Sequence, residues 1–225
     1  MKPMLATGVI CAALALAAAL IAAMLDLPPS AVALPQAVAA NLDQSGVRHP
    51  VTAVLLNFRG YDTLLEVAVL LLALLSVLAV GGERDVAHAV PPGEPVLQTL
   101  ARLLVPLMIL TAGYLLWAGA HRPGGAFQAA AVMAAAAVLL QLARLLPTWI
   151  RPGLLLRLGL TSGFLIFLAV AAALLAEGSL LQYPPAWAGV LILFIEAGLT
   201  CSLSLTLAGL FLFLTGQGEH PCPPV

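Results

Sequence analysis

The chain has 225 residues, of which 62% are hydrophobic and 8% charged, with a formal net charge of −1 and a mean hydropathy of +1.08. Soluble domains carry about 25% charged residues, so this composition excludes a water-soluble globule and indicates an all-α integral membrane protein. The near-neutral balance leaves no basic field for nucleic acid. Cys11, Cys201 and Cys222 lack the spacing of a metal site or a disulfide framework.

Six apolar stretches each approach the roughly 20 residues that a bilayer requires. The first, about 4–25, ends at Asp26 and Pro28-Pro29. It is longer than the roughly 7–15 residues of a signal-peptide core. Ala31-Val32-Ala33 offers a cleavage pattern, but a retained first helix is the expectation. A polar excursion over 26–50 follows, its prolines disfavouring regular helix. The second span is about 51–80. A hydrophilic linker, 81–95, contains Gly81-Gly82, Glu83, Arg84, Asp85 and Pro91-Pro92-Gly93, and is the expected joint between two modules.

The third span, about 96–119, contains Pro106, expected to kink it. The turn Gly119-Ala-His-Arg-Pro-Gly-Gly125 leads to a fourth span, about 125–146, whose alanines allow close backbone approach. A basic turn, Arg144–Gly153, precedes the fifth span, about 154–176. Tyr183 and Trp187, in the next turn, suit a membrane-interface belt. The sixth span is about 188–214, before a short tail. With six spans, Lys2, Arg84, Arg102, Arg144, Arg151 and Arg157 fall on one side. Arg48, Arg59 and Arg122 fall on the other or inside. That bias predicts both termini in the cytoplasm.

Charged residues inside spans are costly and mark ion or proton pathways. Arg59, Asp62 and Glu66 stand at i, i+3 and i+7, within about 60° on a continuous helix; an interruption at Gly60 would weaken this for Arg59 but not for Asp62 and Glu66. Glu66 then sits near the middle of a helix over 51–80, where a carboxyl can relay protons. The alternative is an Arg59–Asp62 ion pair at the outer interface, with Glu66 bonded to a neighbouring subunit. Glu196 is the second candidate, with Thr200 and Ser204 one and two turns on. This polar stripe serves either as glue between helices or as a proton or cation route. His121, beside Arg122, could exchange protons near neutral pH. The helix start at Gly124-Gly125 exposes unpaired N–H groups that favour an anion or carboxylate partner; more prosaically, the glycines reverse the chain there and both side chains stay among headgroups. His49, His88 and His220 are expected to be solvated. No phosphate loop, CxxC, HExxH or GxSxG pattern occurs, so no catalytic residues, metal site or cofactor are expected.

Two stretches resemble parts of the Mrp-type multisubunit Na⁺/H⁺ antiporters and the related membrane-bound hydrogenase complexes. Val51-Thr-Ala-Val-Leu-Leu-Asn-Phe-Arg-Gly-Tyr-Asp-Thr-Leu-Leu-Glu66 resembles a signature of the E-type hydrogenase subunit and of the C-terminal region of the large A-type antiporter subunit. Asn57 stands where Asp is usual, and Leu65 where Gly is usual. Leu100-Ala-Arg-Leu-Leu-Val-Pro-Leu, the turn continuing Gly119-Ala-His-Arg-Pro-Gly-Gly-Ala-Phe-Gln, and Leu193-Phe-Ile-Glu-Ala-Gly-Leu are similar to the B-type antiporter subunit. Arg122 departs from its usual Asn, and Ala126 from a third Gly.

The resemblance implies a two-helix E-type module over 1–80 with an external loop at 26–50. A linker at 81–95 would join it to a four-helix B-type module over 96–225. It further implies a membrane component of a cation/proton antiporter assembly, or of a redox-driven respiratory complex reusing that module, in the inner membrane. Its partners would be large antiporter-like subunits and small membrane subunits, with hydrogenase or dehydrogenase subunits in the redox-driven case. Lys2 is the single lysine, so the lysine-based channel of the large subunits is missing. The expected role is a lateral ion path through Glu66 and Asp62. A purely structural subunit is the alternative.

Overall fold

The structure, a computed structural model, describes residues 2–26, 33–80, 94–146, 153–176, 178 and 180–215. The linker residues 81–93 with Arg84 and His88, Pro28-Pro29, Arg151, Glu177 and the tail with His220 and Cys222 lie outside the described residues. No β-strand occurs among those described. The helices are α1 (Lys2–Leu25), α2 (Leu34–Asn41), α3 (Pro50–Ala53), α4 (Gly60–Val80), α5 (Pro95–Ala118), α6 (Ala126–Leu142), α7 (Leu154–Ala176) and α8 (Ala188–Thr215). Two compact units result, 1–37 and 38–225. The first is formed by apolar α1 and the start of α2.

Four helices are long and apolar enough to cross a bilayer: Gly60–Ala79, Pro95–Ala118, Leu154–Ala176 and Ala188–Leu212. Ile10–Leu25 and Ala126–Leu142 are shorter apolar helices at the other two expected positions. The protein is therefore an all-α, multi-pass membrane protein. α5 begins with Pro95 in its first turn, where a missing N–H costs nothing, and continues through Pro106. α6 ends with Arg144 at φ 57°, and the Leu145 N–H closes on the Leu140 carbonyl at 2.9 Å. This is the left-handed helix stop that glycine usually provides.

In the second unit, small residues determine which faces meet. α6 buries Ala126, Ala129, Ala130, Ala134 and Ala136 and packs on both α5 and α8. α7 crosses α8 at Gly163, where a Cβ would collide with the Ser202 hydroxyl and stand 2.8 Å from the Gly198 carbonyl. α4 packs on α7 and α8. One core joins Phe167, Ile192, Ile195 and Leu199 to Val47, Ala53, Leu56, Leu64 and Val67. The 47–67 stretch thus shares its interior with α6–α8.

The second span departs from the expected continuous helix over 51–80. After α3 the chain widens into a π-turn, Val54–Phe58, closed by the Arg59 N–H on the Val54 carbonyl at 2.8 Å. Arg59 leaves helical geometry at φ −130°, ψ 32°, and α4 starts afresh at Gly60. The break frees carbonyls that must find donors in a membrane. The Thr63 hydroxyl supplies one, donating to the Leu55 carbonyl at 2.6 Å. Glu66 is consequently the seventh residue of α4, about 9 Å from its start at 1.5 Å per residue, and not at mid-helix.

Ahead of α3, a 3₁₀ turn, Leu42–Gln44, folds the chain over the start of α8. Gly46 takes φ +75° and presses on Ala188, its missing Cβ falling 2.8 Å from the Gly189 nitrogen. The Asn57 side-chain amide donates to the Ser45 carbonyl at 2.9 Å, a bond that an ionised aspartate could not make.

Candidate functional site

Glu196 lies on α8, nine residues into the helix by chain order, and is only 3% exposed. Its Oε1 accepts the Ala126 N–H at 3.3 Å. That donor is one of the unpaired N–H groups at the start of α6, where the helix dipole also favours an anion. Oε2 is buried without a hydrogen-bond partner. Such an oxygen normally has a partner, so it is the open position of the site.

The turn 119–125 closes over this carboxyl through its glycines. A Cβ on Gly125 would stand 2.7 Å from Oε1, and one on Gly119 3.3 Å away. Gly125 also takes φ 111°, ψ −172°, a conformation essentially restricted to glycine. The Gly125 N–H donates to the Leu115 carbonyl at 2.9 Å, and the His121 and Arg122 N–H groups to the Ala118 carbonyl, both at 2.8 Å. From the other side, the Thr52 hydroxyl donates to the Gly119 carbonyl at 2.5 Å. The Arg48 and His49 N–H groups reach the Ala120 carbonyl at 2.8 and 3.1 Å. The Val51-Thr52 pair opening the 51–66 stretch is therefore stapled to the turn that covers Glu196.

The other sequence candidates are distributed differently. Thr200 and Ser204 are buried, but their hydroxyls bond carbonyls of their own helix, Glu196 at 2.8 Å and Cys201 at 2.8 Å. Arg59 and Asp62 form an ion pair and are largely exposed, at 69% and 50%. Glu66 lies on the exposed face of α4, whereas Glu196 is inside the helix cluster. His121 and Arg122 are exposed, with the His121 ring against Trp117 at 5.8 Å between centroids.

Two expectations are corrected. His49 is not simply solvated: it is half-buried and its Nδ1 is enclosed without a partner. Tyr183, expected in an interface belt, is 4% exposed with an unpartnered hydroxyl, and burial raises the pKa of its phenol. Trp187 is exposed as expected. The helix start expected to favour a carboxylate does so, through the Ala126 N–H on Glu196, whereas sequence reasoning missed Glu196 as that carboxylate and Thr52 and Gly119 as its surroundings. Their signals, the Val51-Thr52 pair and the glycine turn, were visible only as separate motifs.

Fold and site together define a multi-pass helical membrane protein with a buried, half-satisfied carboxyl beneath a glycine turn. Residues 96–206 match the family described as a domain related to the MnhB subunit of Na⁺/H⁺ antiporter. These residues hold both the turn and Glu196, so the site lies within the matched stretch. No curated protein matches the sequence. Among solved structures, the Mrp complex from Dietzia sp. DQ12-45-1b is similar, with TM-score 0.67 and 24% identity over 99% of this chain and 27% of that one. The chain thus spans about a quarter of that protein's length. The membrane-bound sulfane sulfur reductase, an archaeal respiratory membrane complex, gives TM-score 0.67 and 23% identity over 92% of this chain and 96% of its counterpart. At these identities the likeness establishes a shared fold.

Proposed function

We propose that the chain is a membrane component of a cation/proton antiporter-type assembly, stand-alone or built into a respiratory complex, and that Glu196 is its internal proton or cation station. The observation that carries this reading is the asymmetry of the carboxyl. Oε1 is held by the Ala126 N–H, while Oε2 is buried and open. A proton or a cation can add at Oε2 without breaking the Oε1 bond, so loading and unloading leave the α6–α8 contact in place. Support for the assembly comes from the MnhB-like domain and the two fold neighbours.

Within this proposal the 1–80 and 96–225 stretches are an E-type and a B-type module in one chain. The alignment of 99% of this chain along one Mrp-complex chain supports that arrangement. Glu66 and Asp62, with Arg59, form the lateral end of the path, facing a neighbouring subunit. His121 lies at the mouth of the turn. The chain carries ions without bond-making chemistry of its own, in the inner membrane with both termini cytoplasmic. The competing reading, a structural subunit, is favoured by the Ala126–Glu196 bond acting as helix glue.

Glu196→Gln separates the two. The amide carbonyl can still accept the Ala126 N–H, but the titratable, cation-binding oxygen is gone. In vesicles with a pH-sensitive dye, the assembled variant complex should lose most proton-coupled cation exchange. Wild-type exchange from that complex would leave Glu196 as glue.

A further inference from the structure

The exposed face of α4 has a charge that nothing among the described residues balances. Asp62, Glu66, Val69, Ala73 and Ser76 are all exposed and fall within about 80° of one another on the helix. The opposite face, with Thr63, Leu64, Val67 and Leu74, is buried against α7 and α8. Glu66 therefore points away from α7 and α8, in a helix that crosses the bilayer, among Leu65, Val69 and Leu72. Arg59 is already engaged by Asp62. The helices packed against α4 offer no cation at that level. α8 carries Glu196, and the charge on α7 is Arg157, near its first turn and exposed. Hydrocarbon does not satisfy a carboxyl, so membrane proteins cover such groups with a partner.

We infer that this face is a docking surface for a transmembrane helix of a neighbouring subunit that presents a Lys or Arg side chain to Glu66. The small side chains of Ala73 and Ser76, one and two turns beyond Val69, allow that helix to approach closely. Charge complementarity selects the occupant: Glu66 is the single unbalanced charge on an otherwise apolar and small-residue stripe. A second copy of this chain fits poorly. Its Arg48 and Arg122, on the side where α4 starts, lie in turns and not on a transmembrane helix, its Arg59 is engaged by Asp62, and Arg102 and Arg157 are the basic residues of α5 and α7. Arg102 and Arg157 each stand within about two turns of the start of their helix, and by alternation α5 and α7 start from the side of the membrane opposite to α4.

The inference rests on the chain being part of a larger assembly, and the experiment separates the two. A photo-crosslinking amino acid is placed at Val69 in the native complex, and adducts are mapped by mass spectrometry. The expected product joins Val69 to a transmembrane peptide of another subunit with Lys or Arg within two turns of the crosslink. Glu66→Lys should then lower recovery of that subunit by more than about tenfold, since it juxtaposes two unpaired charges. Replacing the partner's cation by Glu should restore recovery. Adducts with lipid, with a second copy, or with a helix lacking Lys and Arg would overturn the inference while leaving an intact multisubunit complex. Purification of the chain alone, with no other subunit, would overturn the proposed function as well.

Discussion

Gly125→Ala should be among the most damaging single-methyl changes in the protein. The added Cβ meets Oε1 of Glu196 at 2.7 Å, closer than real Cβ contacts allow, so the carboxyl must move off the Ala126 N–H. The backbone at φ 111°, ψ −172° is strained for alanine by about 1–3 kcal/mol. Loss of a hydrogen bond to a charged acceptor contributes about 1.5–3 kcal/mol more. The expected destabilisation is therefore roughly 2.5–6 kcal/mol, measured by reversible unfolding in mixed micelles. Gly113→Ala is the control. Nothing lies within 4 Å of a Cβ there, and alanine inside a helix should gain about 0.5–1 kcal/mol. The decisive comparison repeats Gly125→Ala in a Glu196→Ala background. With the carboxyl removed, only the backbone strain remains, about 1–3 kcal/mol. An equal cost in both backgrounds would refute the contact between the turn and Glu196.

Thr52→Val keeps shape but leaves the Gly119 carbonyl without its 2.5 Å donor; it should cost about 1–3 kcal/mol in the same unfolding assay, and Thr52→Ser should recover most of it. At the α7–α8 crossing, Gly163→Ala overpacks against Ser202 and the Gly198 carbonyl and should destabilise by about 1–3 kcal/mol. Pairing it with Ser202→Gly should relieve part of that cost; a strictly additive double mutant would argue against the crossing.

Helix positions were legible because apolar runs bounded by Pro and Gly leave little choice in a membrane. The fifth and sixth spans, expected at 154–176 and 188–214, match Leu154–Ala176 and Ala188–Thr215 almost residue for residue. Two features were hidden. The π-turn at Val54–Phe58 inserts a residue into the helical repeat without changing composition, so over 51–80 only Gly60 hinted at a break. Burial was hidden for a different reason. When helices are apolar on every face, periodicity no longer marks the inside. Glu66 and Glu196 therefore look alike in sequence, yet one faces outward and the other is enclosed. What distinguishes them is the small-residue surroundings, Gly119 and Gly125 over Glu196, and those act only once α6 is folded against α8.

The position of Glu196 depends on chain segments far apart in sequence. Ala126 binds it from 70 residues away, and Thr52 holds the covering turn from 67 residues away. A turn with Gly119, Gly124 and Gly125 has much conformational freedom to lose on ordering. Its own N–H bonds to Leu115 and Ala118 fix its inner side, but the Gly119 and Ala120 carbonyls are fixed from outside, by residues 48–52. The geometry around Oε1 is thus set jointly by the 48–58 stretch and by the 115–126 turn with α8. Joining both stretches in one chain makes their encounter intramolecular, which raises the effective concentration of the staple over that of a separate polypeptide. A carboxyl buried in a bilayer tolerates little misplacement of its donors, and the staple from residues 48–52 limits that misplacement by fixing the outer side of the turn.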